Sequence, residues 1–436
     1  MKIVIVGASF SGVSCAVEAR KNFPNDEIVL IDKQPDIGYI PSGLSLVLKG
    51  AIPSLEDAYF INQKELEQIG ITLCLDTCVT EFQLANHLLI TNHGEVTFDK
   101  LVLATGSSQV PKNLDMSDKE GLTFKDKETS AVTLNKIQQS KDVIVIGAGQ
   151  AGLELSDALI QAGKVVEVIE TMNYPLYKYF DKDFLQPFIN ELKEEPSLKI
   201  YFEETINTLS EQEVIASNLK KHKGQGVPVI LATSVRPNLA IFKKQLQLTT
   251  EQTIYVDKYL RTSQPDVFAI GDLIQVPSSV LPMPTYVPLI NTAVQTGITC
   301  AKNLKKAIKP LQPVCQTVGT HLFGSYLGSC GLLEAESFVY PGDVASYTYE
   351  MNVSFTSKDV IRKKILYDAN SFVLLGVQLL SSQPVADKIN QYALMINQKM
   401  VLSNIEWQEK IYHPEFTYLK PDLYINKKRV SDDYEI

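Results

Sequence analysis

Hydrophobic positions in this chain fall first into unbroken runs and later into alternation. Lys2-Ile-Val-Ile-Val and Asp142-Val-Ile-Val-Ile are short apolar runs that each stop at a glycine. Such runs predict strands buried on both faces, as in a parallel sheet covered by helices. Beyond the second run, Ala151, Leu155, Ala158, Leu159 and Ala162 recur on one helical face, and Gly163 stands where a helix would end. Two more apolar strands, Leu101-Val-Leu-Ala and Val229-Ile-Leu-Ala, break into the small-residue turns at Thr105-Gly106 and Thr233-Ser234. Pro265-Asp-Val-Phe-Ala-Ile-Gly271-Asp272 repeats that form, and residues 291–306 follow with helical character. From about Pro310, Tyr, Phe and Val alternate with polar residues over 346–355 and 372–380, predicting antiparallel strands with one wet face. The fold class expected is α/β, with two Rossmann-like units followed by a separate α+β domain. The polar tail 427–436 reads as a frayed end.

The order strand, glycine turn, helix, strand, acid occurs twice. It runs from Gly7-Ala-Ser9-Phe10-Ser-Gly12 to Asp32, and from Gly147-Ala-Gly149-Gln150-Ala-Gly152 to Glu170. A strand that stops at a turn without side chains lets backbone N–H groups and a helix N-terminus approach a pyrophosphate, and the acid after the next strand takes the ribose hydroxyls. One such turn suggests a nucleotide; two suggest electron transfer between nucleotides. Thr171-Met172-Asn173 follow Glu170 without an Arg or Lys to receive a 2′-phosphate, which favours NADH over NADPH. The competing reading of Glu170 is a solvated acid at a strand end.

Composition narrows the classes. At 436 residues the chain suits two or three domains, and 45% hydrophobic with 21% charged residues is a globular balance. A net charge of -9 and a pI near 5.3 oppose binding to nucleic acid or anionic lipid. Lys220-Lys221-His222-Lys223 reads as a solvated loop. The first residues enter a strand directly and no apolar run is long enough to span a bilayer, so no leader or membrane is expected and the cytoplasm is the expected location. The cysteines Cys15, Cys74, Cys78, Cys300, Cys315 and Cys330 contain no C-x-x-C pair and no metal-ligand spacing, so reduced structural thiols and no metal are expected. Cys74 and Cys78, about 13 Å apart in an extended strand, could pair only if the chain turned between them. Cys15 falls in an apolar stretch expected to face the sheet.

The two turns, the Ala104-Thr105-Gly106 close, the Gly271-Asp272 strand and the C-terminal sheet domain together resemble the FAD-dependent pyridine nucleotide-disulfide oxidoreductases. Ile37-Gly-Tyr-Ile-Pro-Ser42-Gly43-Leu-Ser-Leu-Val-Leu-Lys-Gly50 and Tyr286-Val-Pro288-Leu289-Ile are similar to the branch of NADH peroxidase, NADH oxidase and coenzyme A disulfide reductase. The resemblance spans essentially the whole chain. It implies an FAD-binding domain over 1–112 and 251–309, an NAD(H)-binding domain over 113–250, and a dimerisation domain over 310–436 that pairs two subunits. FAD would be held by Gly7, Ser9, Gly12, Asp32, Lys33, Ser42, Val79, Thr105, Gly106, Asp272, Pro288 and Leu289. NADH would be held by Gly147, Gly149, Gln150, Gly152 and Glu170. Hydride then passes from NADH to the flavin, and a small-molecule acceptor takes the electrons.

The departures from that branch bear on the chemistry. Where its members carry a redox cysteine beside the flavin, this chain has Ser42, and where the peroxidases carry a histidine in the first turn it has Phe10. A hydroxyl has no sulfur oxidation ladder and is far less acidic than a thiol. Gln150 stands where a tyrosine often covers the flavin. Glu154 matches an acid near flavin and nicotinamide, or is simply an acid in the first helical turn favoured by the helix dipole. His413, in Tyr412-His-Pro-Glu-Phe416, matches a segment that in relatives reaches the partner's flavin site, as a proton donor or an interface histidine. His87, His93, His222 and His321 have no constellation. The leading expectation is reoxidation by dioxygen with release of hydrogen peroxide, or by a quinone-like acceptor. A flavoprotein with structural or sensory FAD, and peroxide or disulfide reduction through another thiol, are the alternatives.

Overall fold

The computed structural model describes residues 1–109, 121–209, 214–216, 221–222, 226–242, 244–406, 408–409, 411–415 and 417. Both apolar runs are strands, Lys2–Val6 and Asp142–Ile146, and each lies inside its sheet. Their positions 3–6 and 143–146 are buried throughout, as strands covered on both faces require.

The two sheets share one plan. In the first, the parallel order is Thr72–Cys74, Glu27–Ile31, Lys2–Val6, Lys100–Leu103, Val267–Ala269. In the second it is Leu198–Tyr201, Val165–Ile169, Asp142–Ile146, Val229–Leu231, again all parallel. The fifth strand of the first sheet, Val267–Ala269, comes from chain that follows the whole second sheet. Ser107–Gln109 and Val235–Pro237, which continue the two closing strands, pair antiparallel with each other. A three-stranded antiparallel sheet, Val79–Gln83, Leu88–Thr91 and Gly94–Thr97, is inserted before Lys100.

The helix after the second turn, Gln150–Gln161, ends as expected, with Gly163 at φ +78. Its buried face differs from the expected one. Leu155, Ala158 and Leu159 are buried, but Ala151 and Ala162 are exposed, and Gly152, Leu153, Ser156 and Asp157 complete the face. The expected helix over 291–306 is Ile290–Asn303, and it crosses the first-turn helix, Phe10–Asn22. A Cβ on Gly297 would stand 2.3 Å from Ser11 O, so the crossing needs that glycine. Cys15 is buried and meets Cys300 of that helix.

The chain divides into two compact units, one of residues 1–176, 193–277 and 283–314, the other of 177–192, 278–282 and 315–436. The first holds both parallel sheets. The second is built on a five-stranded antiparallel sheet in the order Val318–Leu322, Ser325–Gly331, Leu374–Ser381, Val360–Asp368, Val344–Asn352. Its central strand Leu374–Ser381 is buried at every position, which corrects the expectation of a wet face. Helix Ala386–Asn397 packs on this sheet, and segment 177–192, from within the span assigned to the second nucleotide domain, packs with it too. Arg362 Nε donates to Phe184 O at 3.2 Å, and Asp181 N donates to Gln378 Oε1 at 2.8 Å. Lys221–His222 form a short strand beside Val214–Ala216, so part of the expected basic loop is ladder; Lys220 and Lys223 fall outside the described residues, as does the tail 427–436. Among the described residues no helix is long and apolar enough to cross a membrane.

Candidate functional site

The glycines of the two turns separate into those the fold demands and those it does not. Gly7 and Gly147 sit at φ +115 and +108, and a Cβ on either would stand 2.2 Å from Ala104 O or 2.7 Å from Ala232 O. Gly12 and Gly152 are equally constrained, with such a Cβ 1.8 Å from Gly7 O and 2.0 Å from Gly147 O. Gly149 differs: its φ is -73, an ordinary value, and nothing lies within 4 Å of where its Cβ would be. Packing gives no reason for a glycine there, whereas close approach by a pyrophosphate does. Gly106, at φ +65, also faces open space.

The helix N-termini after both turns are bare. Helices Phe10–Asn22 and Gln150–Gln161 have Ser9 and Gly149 as N-caps, no side-chain cap bond, and no acid in the first turn. Helices Gln63–Gln68 and Lys127–Gln138 are capped instead by Asn62 and Asp126, which accept their N3 amides, while helices Gly43–Leu48, Ile290–Asn303 and Ala386–Asn397 have no side-chain cap bond either. Uncapped N–H groups together with the helix dipole form an anion site. The two acids brace the turns in matching ways. Asp32 Oδ2 accepts Ala8 N at 2.6 Å and its Oδ1 accepts Gln34 N at 2.9 Å. Glu170 Oε2 accepts Ala148 N at 2.7 Å and its Oε1 accepts Met172 N at 2.8 Å. Glu170 is only 6% exposed, so it is not a solvated strand end. Burial raises the pKa of Asp32 above the ordinary carboxyl value, against the pull of its amide bonds. At the two closes, Thr105 Oγ1 and Thr233 Oγ1 are buried and have no hydrogen-bond partner among the described residues. Two bare N-termini, open space at Gly149 and a matching pair of orphaned hydroxyls fit two dinucleotides.

Around the first turn the structure collects several residues the motifs pointed to. Asn238 joins the two closes, donating from Nδ2 to Thr105 O at 2.9 Å and from N to Gly106 O at 3.0 Å. Asp272 lies in the turn Gly271–Leu273; its Oδ2 accepts Ser107 Oγ at 2.5 Å and its main-chain O accepts Tyr286 OH at 3.1 Å. Burial, with Asp272 beside it, pushes the Tyr286 phenol well above its ordinary pKa. Ser42 caps helix Gly43–Leu48 without a side-chain cap bond, and its loop is fastened to the first turn where Gly38 N donates to Ala8 O at 3.3 Å. Phe10 stacks on Phe60, with ring centroids 4.2 Å apart and planes 13° apart. Pro288 and Leu289 lead into helix Ile290–Asn303, whose N-cap Leu289 again carries no side-chain cap bond.

Other expected residues lie differently. Glu154 is in the second turn of its helix, not the first, and its Oε1 accepts Gln150 Nε2 at 3.0 Å. Val79 is buried in the apolar core, and Lys33 is exposed next to Asp32. His413 belongs to the second unit, where its Nδ1 accepts Glu415 N at 3.3 Å. All six cysteines are free; Cys15, Cys300, Cys315 and Cys330 are buried, and Cys78 is exposed. Lys125, Ser107, Asn238 and Phe60 were not singled out from sequence. Ser107 and Asn238 adjoin closing motifs that were read, while Lys125 and Phe60 stand in no motif.

The comparisons agree with this architecture. A family model described as pyridine nucleotide-disulphide oxidoreductase matches residues 1–297. An NADH oxidase of Enterococcus faecalis is 26% identical over 98% of this chain and 98% of its own. The crystal structure of a pyridine nucleotide-disulfide family oxidoreductase from Enterococcus faecalis is 33% identical, covers 96% of both chains and superposes with a TM-score of 0.84. The water-forming NADH oxidase of Lactobacillus brevis, solved with NADH, shares the fold at 22% identity and TM-score 0.89, covering 96% of this chain and 95% of its own. The chain therefore belongs to the pyridine nucleotide-disulphide oxidoreductases and is an NADH-dependent flavoprotein enzyme whose cofactors are FAD and NADH.

Proposed function

We propose that this enzyme oxidises NADH through FAD and hands the electrons to a small acceptor with no redox cysteine between. With dioxygen the balance is NADH + H⁺ + O₂ → NAD⁺ + H₂O₂; a quinone-like acceptor would leave as the hydroquinone. The observation that carries this reading is Ser42 with Phe10, standing where the branch keeps its cysteine and histidine, beside two intact nucleotide turns. Among the remaining thiols, burial raises those of Cys74, Cys300, Cys315 and Cys330 above the ordinary range, against the thiolate that redox chemistry needs, and the exposed Cys78 stands outside the flavin motifs. Similarity to NADH oxidases points the same way.

FAD, when bound, supplies the centre that takes hydride from NADH and returns an electron pair to the acceptor. The protein's part is placement. In this reading Gly7, Ser9 and Gly12 receive the FAD pyrophosphate, Asp32 the adenosine ribose with Lys33 beside it, and Val79 the adenine side. Thr105, Gly106, Pro288 and Leu289 close the pocket, and Asp272 takes the ribityl hydroxyls. Gly147, Gly149 and Gly152 receive the NADH pyrophosphate and Glu170 its ribose. The bonded pair Gln150 and Glu154 borders the nicotinamide, and the Phe10–Phe60 stack walls the acceptor side without a proton donor. His413 is assigned to a subunit interface. Residues 1–112 and 251–309 carry FAD, 113–250 carry NADH, and 310–436 pair two subunits of a cytoplasmic homodimer.

Anaerobic titration with NADH tests the entrance: the flavin band bleaches in proportion to NADH, and no bleaching would favour a sensory flavoprotein. Mixing the bleached enzyme with air tests the exit. Colour returning within seconds with peroxide released supports dioxygen, and colour absent for minutes turns the assignment to quinones. Loss of turnover after thiol alkylation would overturn the cysteine-free route.

A further inference from the structure

Asn238 stands at a crossing in the chain. The strand Val229–Leu231 before it belongs to the second parallel sheet, and Leu239 and Phe242 just after it are buried in the apolar core of the first. Asn238 is exposed, yet it bonds chain on the far side of this crossing: besides its bonds to Thr105 O and Gly106 O, its Oδ1 accepts Ser108 Oγ at 2.7 Å. These bonds lie at the end of the antiparallel ribbon in which Val235, Arg236 and Pro237 pair with Gln109, Ser108 and Ser107. The ribbon is short, and Pro237 brings no N–H to it. Asn238, the next residue, supplies two donors, its own N–H and its amide Nδ2.

What these bonds hold is the placement of one nucleotide turn against the other. Each close backs on its own turn: a Cβ on Gly7 would stand 3.1 Å from Thr105 N, and one on Gly147 would stand 3.5 Å from Thr233 N. From Gly147 the path therefore runs through Thr233 and the ribbon strand to Asn238, and from Asn238 through the Thr105 peptide to Gly7. It is made of backbone and one amide side chain, and the Ser108 hydroxyl fixes how that amide is turned. Transfer between two bound groups falls steeply with misplacement, about a hundredfold for 1 Å, so a link that sets the relative position of the turns acts on the rate and on neither binding step.

We propose that Asn238 is a positioning residue for hydride transfer, clamping the second close to the first so that the nicotinamide meets the flavin in reacting geometry. The step it serves is NADH + H⁺ + FAD → NAD⁺ + FADH₂, in which the hydride carries the electron pair and water supplies the proton. The inference rests on FAD occupying the first unit and NADH the second. The test is anaerobic stopped-flow reduction of the FAD-loaded enzyme by NADH, read at the flavin band. Asn238→Ala is expected to lower the limiting rate about tenfold, while the half-saturating NADH concentration and the Kd for FAD each move less than about twofold. Ser108→Ala, which frees the amide to turn, should lower that rate about threefold alone and less than about twofold in the Asn238→Ala background. In protein free of both nucleotides, Asn238→Ala should speed amide exchange about tenfold over residues 105–109 and 235–238, and less than about twofold in strands Lys2–Val6 and Asp142–Ile146. A limiting rate within about twofold of the unaltered enzyme, a loss confined to the half-saturating concentration, or unchanged exchange in the ribbon overturns the proposal. If exchange quickens in the two central strands as well, Asn238→Ala has loosened the fold and Ser108→Ala decides alone: a loss of about threefold supports the clamp, and an unchanged rate overturns it. Failure of the unaltered enzyme to bleach with NADH would instead overturn the nucleotide assignment on which the inference rests.

Discussion

At the residue scale, the contrast between Gly12 and Gly149 separates a glycine needed by the fold from one needed by a ligand. Gly12→Ala drives a methyl into Gly7 O, 1.8 Å away, and is expected to cost about 3 kcal/mol of stability, measured by chemical denaturation of the flavin-free protein. Gly149→Ala meets open space and should cost about 1 kcal/mol or less, yet raise the KM for NADH about tenfold while FAD stays bound. Equal stability losses in the two variants would remove the ligand argument. Ser42→Cys probes the missing sulfur. A thiolate at the N-cap of helix Gly43–Leu48 regains a path to the sulfenate, so peroxide recovered per NADH should fall to about half or less. Ser42→Ala should leave the peroxide yield unchanged. Ser42 and Phe10 were readable from sequence because each occupies a fixed offset in a motif. The Phe60 ring stacked on Phe10 was not, since the pairing is long-range and no spacing encodes it.

At the element scale, the sequence disclosed strands better than faces. Runs such as Ile-Val-Ile-Val announce a buried parallel strand by themselves, whereas the exposed Ala151 and Ala162 satisfied the helical period without being buried. Alanine carries too little apolar surface to reveal its side. The all-buried Leu374–Ser381 was misread for a different reason: besides helix Ala386–Asn397, part of what meets it comes from residues 177–192, far off in sequence, where Asp181 bonds Gln378. Between the two turn regions, Lys49 Nζ, just past helix Gly43–Leu48, meets Asp157 Oδ2 on helix Gln150–Gln161 at 2.5 Å, with side chains 22% and 6% exposed. Lys49→Met leaves that carboxylate without its cation and should cost about 2 kcal/mol, with Asp157→Leu added restoring part of it. Additive losses would show that the pair contributes nothing as a pair.

At the scale of the whole molecule, the second unit holds an ionic centre no motif announced. Lys364, 1% exposed, lies 2.7 Å from Asp183, 2.5 Å from Glu334 and 3.2 Å from Asp181, and Gln378 also donates to Asp181. The three carboxylates converge as a cation site would, and the cation is the lysine. Burial works against its charge, but Asp183 and Glu334 outweigh burial and raise its pKa above the ordinary value. A raised lysine pKa adds stability that is complete below the unfolded pKa of about 10.4 and is lost as pH rises through the folded value. Melting followed from pH 7 to 11 should therefore hold steady in this contribution until about pH 10 and then decline; in Lys364→Met the alkaline decline is smaller and the neutral stability already lower by about 3 kcal/mol. An identical alkaline decline in the variant would refute the assignment.

That ionic centre bears on how the gene can be cut. Asp181 and Asp183 are encoded before the strand Val229–Leu231 of the second parallel sheet, Lys364 and Glu334 long after it, so the order of the chain is not the order of its parts. A fragment starting at Cys315 would carry the buried lysine with only Glu334 to face it and a central strand stripped of one cover. It would aggregate, while a single polypeptide bearing residues 177–192 grafted ahead of it would regain both acids. Recombination among relatives that swaps this C-terminal region must carry the distant segment along, and boundaries drawn from linear sequence will cut through the wrong place.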